Sequence, residues 1–365
     1  MTSHLPQRSS LLLRFARAAQ RRVSRQVVPV VRRLALQARS RAADPNGVGP
    51  LLVVGPYEWF VASHYWMAVR VIEHVLQDTR FHLVDTSHRR GEDIDLGGIA
   101  QRAFGRGADP IVLLLDGPWL GRAGNRLVNH DHLRKLLDIG DPSAEKHFNV
   151  FIRPNRIGGV LCRYQGDETD RLRALTSPLD IPIYYWPHYI DPNEHRDWGL
   201  PKSYDVCVYG ASNEAIYPLR VRLRRLLESG PNGLRVRIVQ LDEGLRGARL
   251  SRVINQSWLT VADTAGATDR FVAKYVEIPL SGSGIVGNIP TRHRELFAGR
   301  VVEVTPHMSD QEMLAAIMDA LADRDRLSRM TRSLRAEMLQ RFTIERGREE
   351  FQTILRDFCR RPVAP

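Results

Sequence analysis

The sequence has few of the residues that mark secreted, metal-binding or membrane-spanning proteins. It contains three cysteines in 365 residues, and Cys162, Cys207 and Cys359 lack the close spacing of a zinc site. Scarce and separated thiols are typical of a reducing compartment, so we expect a cytoplasmic protein that needs no metal ion. No apolar run approaches the ~20 residues of a membrane-spanning helix.

Acidic residues are missing from the first 42 positions, which contain ten arginines. The chain has a formal net charge of +12, but without these ten arginines 43 basic residues face 41 acidic ones. A nucleic-acid-binding enzyme usually carries its basic patch on the folded domain. We therefore expect a basic arm over residues 1–42, a nearly neutral body and no nucleic-acid partner.

The arm also has apolar residues at intervals of three or four, which is helical spacing. These residues are Leu12, Phe15, Ala19, Val23, Val27, Val30 and Leu34. A basic amphipathic helix can lie on an anionic membrane, with roughly 1 kcal/mol from each arginine near the headgroups. Peripheral attachment to the inner face of the membrane is one interpretation. A disordered tail, an organelle transit peptide and a start codon assigned too early are the alternatives.

After the arm, continuous apolar runs alternate with helical patterns. Runs such as LLVVG at 51–55 and IVLLL at 111–115 are typical of parallel strands covered on both faces. The same patterns predict a helix over 125–139 and a strand over 149–152. We expect two doubly wound α/β domains and a terminal helix that crosses back. Their predicted ranges are 48–190, 202–345 and 346–365, with a hinge at 187–202.

Three glycines, Gly282, Gly284 and Gly287, spell G-x-G-x-x-G. A dinucleotide fingerprint follows a strand and opens a helix. Here the helical pattern over 269–278 comes first, and the apolar run over 284–290 reads as a strand after the glycine turn. The spacing is therefore not a dinucleotide-binding motif.

The residues before that turn suit a nucleotide diphosphate. Thr268 is a good N-cap for a helix beginning at Asp269, and helix N-termini beside the carboxyl ends of strands bind phosphates. Arg270 and Lys274 offer counter-charges to the phosphates. Glu277 follows two turns later, where a carboxylate can hold vicinal hydroxyls.

The segment DRFVAKYVEIPLSGSGIVG at 269–287 resembles the group 1 type of GT-B glycosyltransferases and their relatives similar to spore-coat maturation proteins. These chains carry an E-x7-E pattern, and Asp269 and Glu277 stand at that spacing, with Gly282 in register. Three further stretches, at 185–195, 204–227 and 307–355, agree in order and spacing. The resemblance thus covers roughly residues 180–355.

This resemblance implies two Rossmann-like domains facing each other across a cleft, with C-terminal helices. It implies that Glu277 binds the ribose of a nucleotide-sugar donor and that Asp269 lies near the sugar and the diphosphate. The first acidic position is Asp instead of Glu, and Ser212-Asn213-Glu214 replaces a Lys-Gly pair common in the family. These departures concern the identity of the sugar and the stereochemistry.

Each candidate residue has a structural alternative. Arg220 is expected to reach the diphosphate, unless it belongs to a solvated basic face. Asp116 ends a strand and is a candidate general base for the acceptor, or a turn residue. Asp269 is the second candidate catalytic residue, or a helix-dipole acid. The predicted substrate-binding residues are Gly210, Ser212, His188, Arg220, Thr268, Arg270, Lys274, Glu277, Gly282 and Ser283.

We expect a glycosyltransferase that moves a sugar from a nucleotide-diphosphate sugar to an acceptor hydroxyl, in glycan, glycolipid or glycoconjugate synthesis. The donor is a co-substrate, and no cofactor is expected. Retention of configuration is favoured, because relatives with the E-x7-E pattern mostly retain. The alternative is a non-catalytic nucleotide-sugar-binding or scaffold protein on the same fold.

Overall fold

A computed structural model describes most of the chain after the arm. The described residues are 49–58, 66–77, 79–115, 124–140, 143–228, 230–264, 266 and 269–361. The predictions for residues 1–42, for Asp116 and for Thr268 therefore lie outside the described residues. Contacts divide the chain into two units. The first holds residues up to Ile139, Asn149–Val160 and Leu355 onward, and the second holds Gly140–Phe148 and Leu161–Ile354.

The first sheet has the strand order β2-β1-β4-β6-β7-β8. Strand β1 pairs in parallel with β2 and β4, and β4 pairs in parallel with β6. Every residue of β1 and β4 is buried, as expected for apolar runs in a parallel sheet. The bounds are β1 Leu51–Gly55, β2 Phe81–Asp85, β4 Ile111–Leu115, β6 Arg134–Ile139, β7 Gly159–Cys162 and β8 Ile183–Tyr185, and a separate parallel pair joins β3 Asp93–Asp95 to β5 Arg126–Val128.

The second sheet has the order β10-β9-β11-β12-β13, and its neighbouring strands are parallel. Its bounds are β9 Tyr204–Val208, β10 Val236–Ile238, β11 Ser257–Val261, β12 Gly284–Gly287 and β13 Val302–Glu303. A buried core packs Val206, Leu259 and Val286 of this sheet against helical leucines such as Leu223 and Leu327. The carboxyl ends of β9 and β11 therefore lie side by side at one edge, where doubly wound sheets bind ligands.

Eleven α-helices occur among the described residues. They are α1 Trp66–Leu76, α2 Leu96–Phe104, α3 Ala144–His147, α4 Asp167–Thr176, α5 Pro218–Glu228, α6 Gly247–Asn255, α7 Lys274–Leu280, α8 Arg294–Phe297, α9 Asp310–Ala322, α10 Arg324–Arg341 and α11 Ile344–Arg360. Among these helices, none combines the length and the hydropathy that a membrane span requires. The predicted domain boundaries stay predictions.

Two predicted elements are of the wrong type. The helix predicted over 125–139 is replaced by β5 and β6, with Asn129 at a φ of 53° in the turn between them. The strand predicted over 149–152 belongs to a π-helical turn, Phe148–Ile152. Short apolar runs have no period long enough to separate helix from strand, so the sheet partners decide.

Candidate functional site

Charged side chains converge at the carboxyl edge of the second sheet. Tyr209 and Gly210 follow β9, and Asp263 follows β11. Helix α5 contributes Arg220, and α7 contributes Lys274 and Glu277, three residues apart and therefore on one face of the helix. Of these residues, Arg220, Asp263, Lys274 and Glu277 are each at most 8% exposed.

Arg220 is held by an ion pair with Asp263. The guanidinium donates to the carboxylate through Nη2, and the backbone N–H of Arg220 donates to the other carboxylate oxygen at 3.3 Å. Nη1 donates to the carbonyl of Ala211 at 3.1 Å. The buried Nε has no hydrogen-bond partner. One cation of the site is thus fixed in place with a donor to spare.

Lys274 lies against Tyr209. Its Nζ donates to the carbonyl of Tyr209 at 2.9 Å and sits 2.9 Å from the centroid of the tyrosine ring. Burial, and next the charge of Arg220, hold the pKa of Lys274 well below its ordinary value. The positive charge of Arg220 disfavours a second positive charge on Lys274, so an arriving anion would favour the protonated form of Lys274.

Gly210 gives these two cations room. Its φ is +94°, and an added Cβ would lie 2.8 Å from Nζ of Lys274 and 3.2 Å from Nη1 of Arg220. A side chain at this position would occupy the space of both cationic groups. The glycine is therefore required by the close approach as well as by the backbone conformation.

Glu277 lies among polar groups. Its Oε2 accepts a hydrogen bond from the Tyr209 hydroxyl at 2.6 Å. One turn later Ser281 contacts the ring of His195, with 3.3 Å between Oγ and Nδ1. Burial lowers the pKa of His195, while the charge of Glu277 opposes that shift. The carboxylate is therefore buried and hydrogen-bonded within the second unit.

The predicted helix start at Asp269 is wrong, because α7 begins at Lys274. Asp269 has a φ of +44°, outside the helical region, and its carboxylate accepts from the backbone N–H of Thr291 at 2.9 Å. The N–H of Arg270 donates to the carbonyl of Thr264 at 2.8 Å. The predicted phosphate-binding helix N-terminus next to residue 268 is therefore absent from the described residues.

Asp269 and Arg270 line a pocket of about 210 Å³ in the second unit. The guanidinium of Arg270 stacks 5.0 Å from the ring centroid of Tyr164. At the rim Arg292 forms an ion pair with Asp170. The lining residues are Tyr164, Gln165, Gly166, Asp167, Glu168, Thr169, Arg171, Asp269, Arg270 and Arg292. An aromatic ring beside carboxylates and guanidinium groups suits a polyhydroxylated ligand.

Four other predicted residues have structural partners. Ser283 is fully buried and its hydroxyl pairs with that of Thr260 at 2.8 Å. The carbonyl of Gly282 accepts from Lys202 at 2.6 Å, in the turn that was predicted between helix and strand. Ser212 is exposed and accepts from Arg224. His188 contacts the hydroxyl of Tyr164 at 3.1 Å, and burial lowers its pKa to about 3.

Sequence reasoning missed Tyr209, Asp263 and His195. Asp263 stands at the end of a strand, so the rule that selected Asp116 could have found it. Tyr209 and His195 carried no comparable pattern, because their importance comes from neighbours that are distant in sequence. Among the described residues, no group of three or more His, Cys, Asp or Glu side chains could hold a metal ion.

Comparison with known proteins rests on structure alone, since no protein-family model and no curated protein matches this sequence. The solved structure of HepE from Anabaena in complex with UDP-glucose is 14% identical in sequence, with a TM-score of 0.55. The match covers 85% of this chain and 100% of the HepE chain. The chain has the GT-B fold. A glycosyltransferase from Rickettsia africae is 10% identical with a TM-score of 0.54, covering 86% and 99% of the two chains.

Sucrose-phosphate synthase from Thermosynechococcus elongatus has the same fold, with 9% identity, a TM-score of 0.53 and coverage of 85% of this chain and 99% of its own. The resemblance to GT-B glycosyltransferases is therefore confirmed, and so is the predicted α/β fold class. At these identities the comparison concerns the fold. What the chain does depends on the residues at its site.

Proposed function

We propose that this protein is a glycosyltransferase that uses a nucleotide-diphosphate sugar as donor and an acceptor hydroxyl as its second substrate. The observation that carries the proposal is the placement of Arg220 and Lys274 around Gly210, with Glu277 on the same helix face as Lys274. It supports a site for a diphosphate and a ribose on a GT-B fold. The solved GT-B relatives with this fold include one bound to UDP-glucose.

Arg220 and Lys274 bind the diphosphate in this proposal. Both are buried and fixed by Asp263 and Tyr209, so they are preorganised before the donor arrives. As the bond between the sugar and the diphosphate breaks, negative charge grows on the leaving nucleoside diphosphate. Positive charge held close to that group in a dry site stabilises the transition state. Transfer then needs no metal ion, and activity should survive a chelator.

Glu277 binds the ribose. One lone pair of its Oε2 is taken by Tyr209, and a carboxylate has about four acceptor positions for hydroxyl groups. The sugar of the donor extends toward the pocket with Asp269 and Arg270. Gly210, Ser212, Gly282, Ser283 and His188 remain proposed substrate-binding residues, and Asp116 remains the proposed base for the acceptor. Thr268 remains one as well, but without its predicted role as the N-cap of a helix at Asp269.

Retention of configuration is the proposed outcome, on the basis of the Asp269–Glu277 spacing. NMR of the product anomer tests it directly. A second candidate is a non-catalytic nucleotide-sugar-binding protein. The hydrogen bond between Asp269 and the N–H of Thr291 favours it, because that carboxylate is already engaged.

One experiment separates the two candidates. The full chain is titrated calorimetrically with UDP-, GDP- and TDP-sugars, and each bound donor is then followed for release of free sugar. Binding with slow donor hydrolysis is the expected result for a transferase. Binding without any hydrolysis or transfer supports the scaffold, and no binding to any donor contradicts both.

We propose that residues 1–42 attach the protein to the inner, cytoplasmic face of the membrane. Co-sedimentation with vesicles containing phosphatidylserine tests this attachment. Binding should depend on the anionic lipid and disappear when the arm is deleted. Binding that persists without the arm would contradict the proposal.

A further inference from the structure

Tyr209 contacts both ends of the candidate donor site. Its hydroxyl donates to Glu277 at 2.6 Å, while its ring and its carbonyl oxygen hold the ammonium group of Lys274. It is itself buried, with 6% of its surface exposed. Burial, and next the charge of Glu277, raise the pKa of Tyr209 well above its ordinary value. The hydroxyl therefore stays protonated and can always donate to the carboxylate.

Tyr209 also keeps two opposite charges apart. Lys274 and Glu277 are three residues apart on α7, a spacing at which Lys and Glu side chains can form an ion pair. In the described structure each is instead bound to Tyr209, and no ion pair joins the two. The amino group of Lys274 and the carboxylate of Glu277 thus both remain available to a ligand.

The hydrogen bond from Tyr209 also fixes how the carboxylate is presented. Oε2 is anchored, and Oε1 accepts no hydrogen bond from the described residues. A buried acceptor that has lost water but gained no donor destabilises a complex. A ligand hydroxyl at Oε1 would satisfy it, whereas a ligand lacking that hydroxyl would leave it unpaired.

We propose that Tyr209 is a positioning residue that makes the Glu277 carboxylate select ribonucleotide donors over 2′-deoxyribonucleotide donors. The proposal rests on the proposed function and narrows it. The donor becomes a ribonucleoside-diphosphate sugar, and thymidine-type donors, whose sugar lacks the 2′-hydroxyl, are excluded. Sites built to hydrogen-bond a hydroxyl reject analogues without it far more strongly than apolar pockets reject small changes of shape.

The test measures calorimetric affinities of the full chain for UDP, 2′-deoxy-UDP, GDP, 2′-deoxy-GDP and inorganic pyrophosphate. The wild type should bind the preferred ribonucleotide roughly tenfold more tightly than its 2′-deoxy counterpart. Tyr209→Phe removes the hydroxyl and leaves the ring under Lys274. It should reduce that ratio to about threefold or less, while the affinity for pyrophosphate stays unchanged.

Tyr204→Phe is the matched control, because Tyr204 lies at the opposite end of the same strand. It should keep the wild-type ratio. A double-mutant cycle then tests whether the two residues act together. Since Tyr209→Phe and Glu277→Gln remove one shared interaction, the double variant should discriminate no worse than the less selective of the two single variants. The thermal unfolding midpoint of each variant confirms that it is folded.

Three results overturn the inference. Folded Tyr209→Phe could keep the wild-type ratio of ribonucleotide to 2′-deoxyribonucleotide affinity while Glu277→Gln loses it. Tyr209 would then be a packing residue only. Additive effects in the double variant would separate the roles of Tyr209 and Glu277. A wild type that binds ribo- and deoxyribonucleotides equally would remove the selectivity while leaving the proposed function intact. Absence of all nucleotide binding would instead overturn the proposed function itself.

Discussion

The side chains of Arg220 and Asp263 form an ion pair inside the second unit, with only 4% and 1% of their surfaces exposed. The strand β11 carries Asp263 to the sheet edge, and α5 brings Arg220 to it from the neighbouring crossover. Removing charges from water costs several kcal/mol per ion, which only close partners offset. The ion pair with Asp263 is therefore needed to keep the Arg220 guanidinium buried at the carboxyl end of β9.

Asp263→Ala should destabilise the protein strongly, because it leaves the Arg220 guanidinium buried without its partner. The expected loss in the free energy of unfolding is about 3–5 kcal/mol. Asp310→Ala is the control, since Asp310 pairs with Arg222 at 2.7 Å but is 59% exposed. That substitution should cost at most about 1 kcal/mol. Urea unfolding followed by circular dichroism measures both, and equal losses would contradict the account.

Gly210→Ala should weaken donor binding, since the new Cβ would displace Lys274 and Arg220. A loss of roughly tenfold or more is expected, because misplaced binding groups lose preorganised contacts. Gly199→Ala is the matched control: Gly199 also has a positive φ, +66°, but an added Cβ there meets nothing within 4 Å. Gly199→Ala introduces similar backbone strain and should leave the calorimetric affinity for the donor unchanged. Similar affinity losses in the two variants would mean that strain alone is responsible.

Local patterns predicted the elements that surround the site. The glycine turn at Gly282 and the strand after it followed from helical spacing, a short apolar run and the proline at 290, all within twenty residues. The same reasoning failed at 125–139, where leucines compatible with a helix form β6 instead. It also failed at Asp269, whose carboxylate bonds Thr291 and whose backbone leaves the helical region. Both failures depend on partners that are remote in sequence.

The site itself was predicted in part. Glu277, Lys274 and Arg220 stood in recognisable patterns, and the structure brings all three to one sheet edge. The contacts of Lys274 and Glu277 with Tyr209 could not be predicted, because they depend on β9 lying beside β11 in the strand order. Burial of Arg220 rules out the alternative of a solvated basic face for this residue, whereas Arg225 of the same helix is exposed and paired with Glu214.

Donor affinity should fall as the pH rises, and Lys274 should be the cause. Burial depresses the pKa of free Lys274, and a bound diphosphate favours the charged form, so binding raises that pKa and takes up a proton. Above the pKa of Lys274 in the free protein, the affinity for the donor therefore decreases as the pH increases. Calorimetry in buffers of different ionisation enthalpy measures the uptake. Lys274→Met should abolish it, and exposed Lys146→Met should not; proton release on binding would contradict this.

Acid should destabilise the protein partly through Asp205. Hydrogen bonds from the Arg235 guanidinium and then its backbone N–H lower the pKa of Asp205. Asp205 therefore adds to the free energy of unfolding above the pKa of an unfolded aspartate, about 3.9. This stabilisation disappears as the pH falls through the lower pKa that Asp205 has in the folded protein. Asp205→Asn should remove this part of the pH dependence in urea unfolding between about pH 5 and 2. Asp319→Asn, at an exposed position, should keep the wild-type pH dependence. Identical pH profiles of unfolding for the wild type and both variants would show that Asp205 does not contribute.

The central claim is that one carboxylate and two cations grip the ribose and the diphosphate of a donor. A crystal structure of the full chain, soaked with the nucleotide sugar that titration selects, measures this directly. A ribose hydroxyl should lie about 2.6–3.0 Å from the Glu277 carboxylate, with diphosphate oxygens about 2.7–3.2 Å from Arg220 and Lys274. A nucleotide bound away from Gly210, with Tyr209 and Lys274 unmoved and no ligand atom near Glu277, would contradict the account.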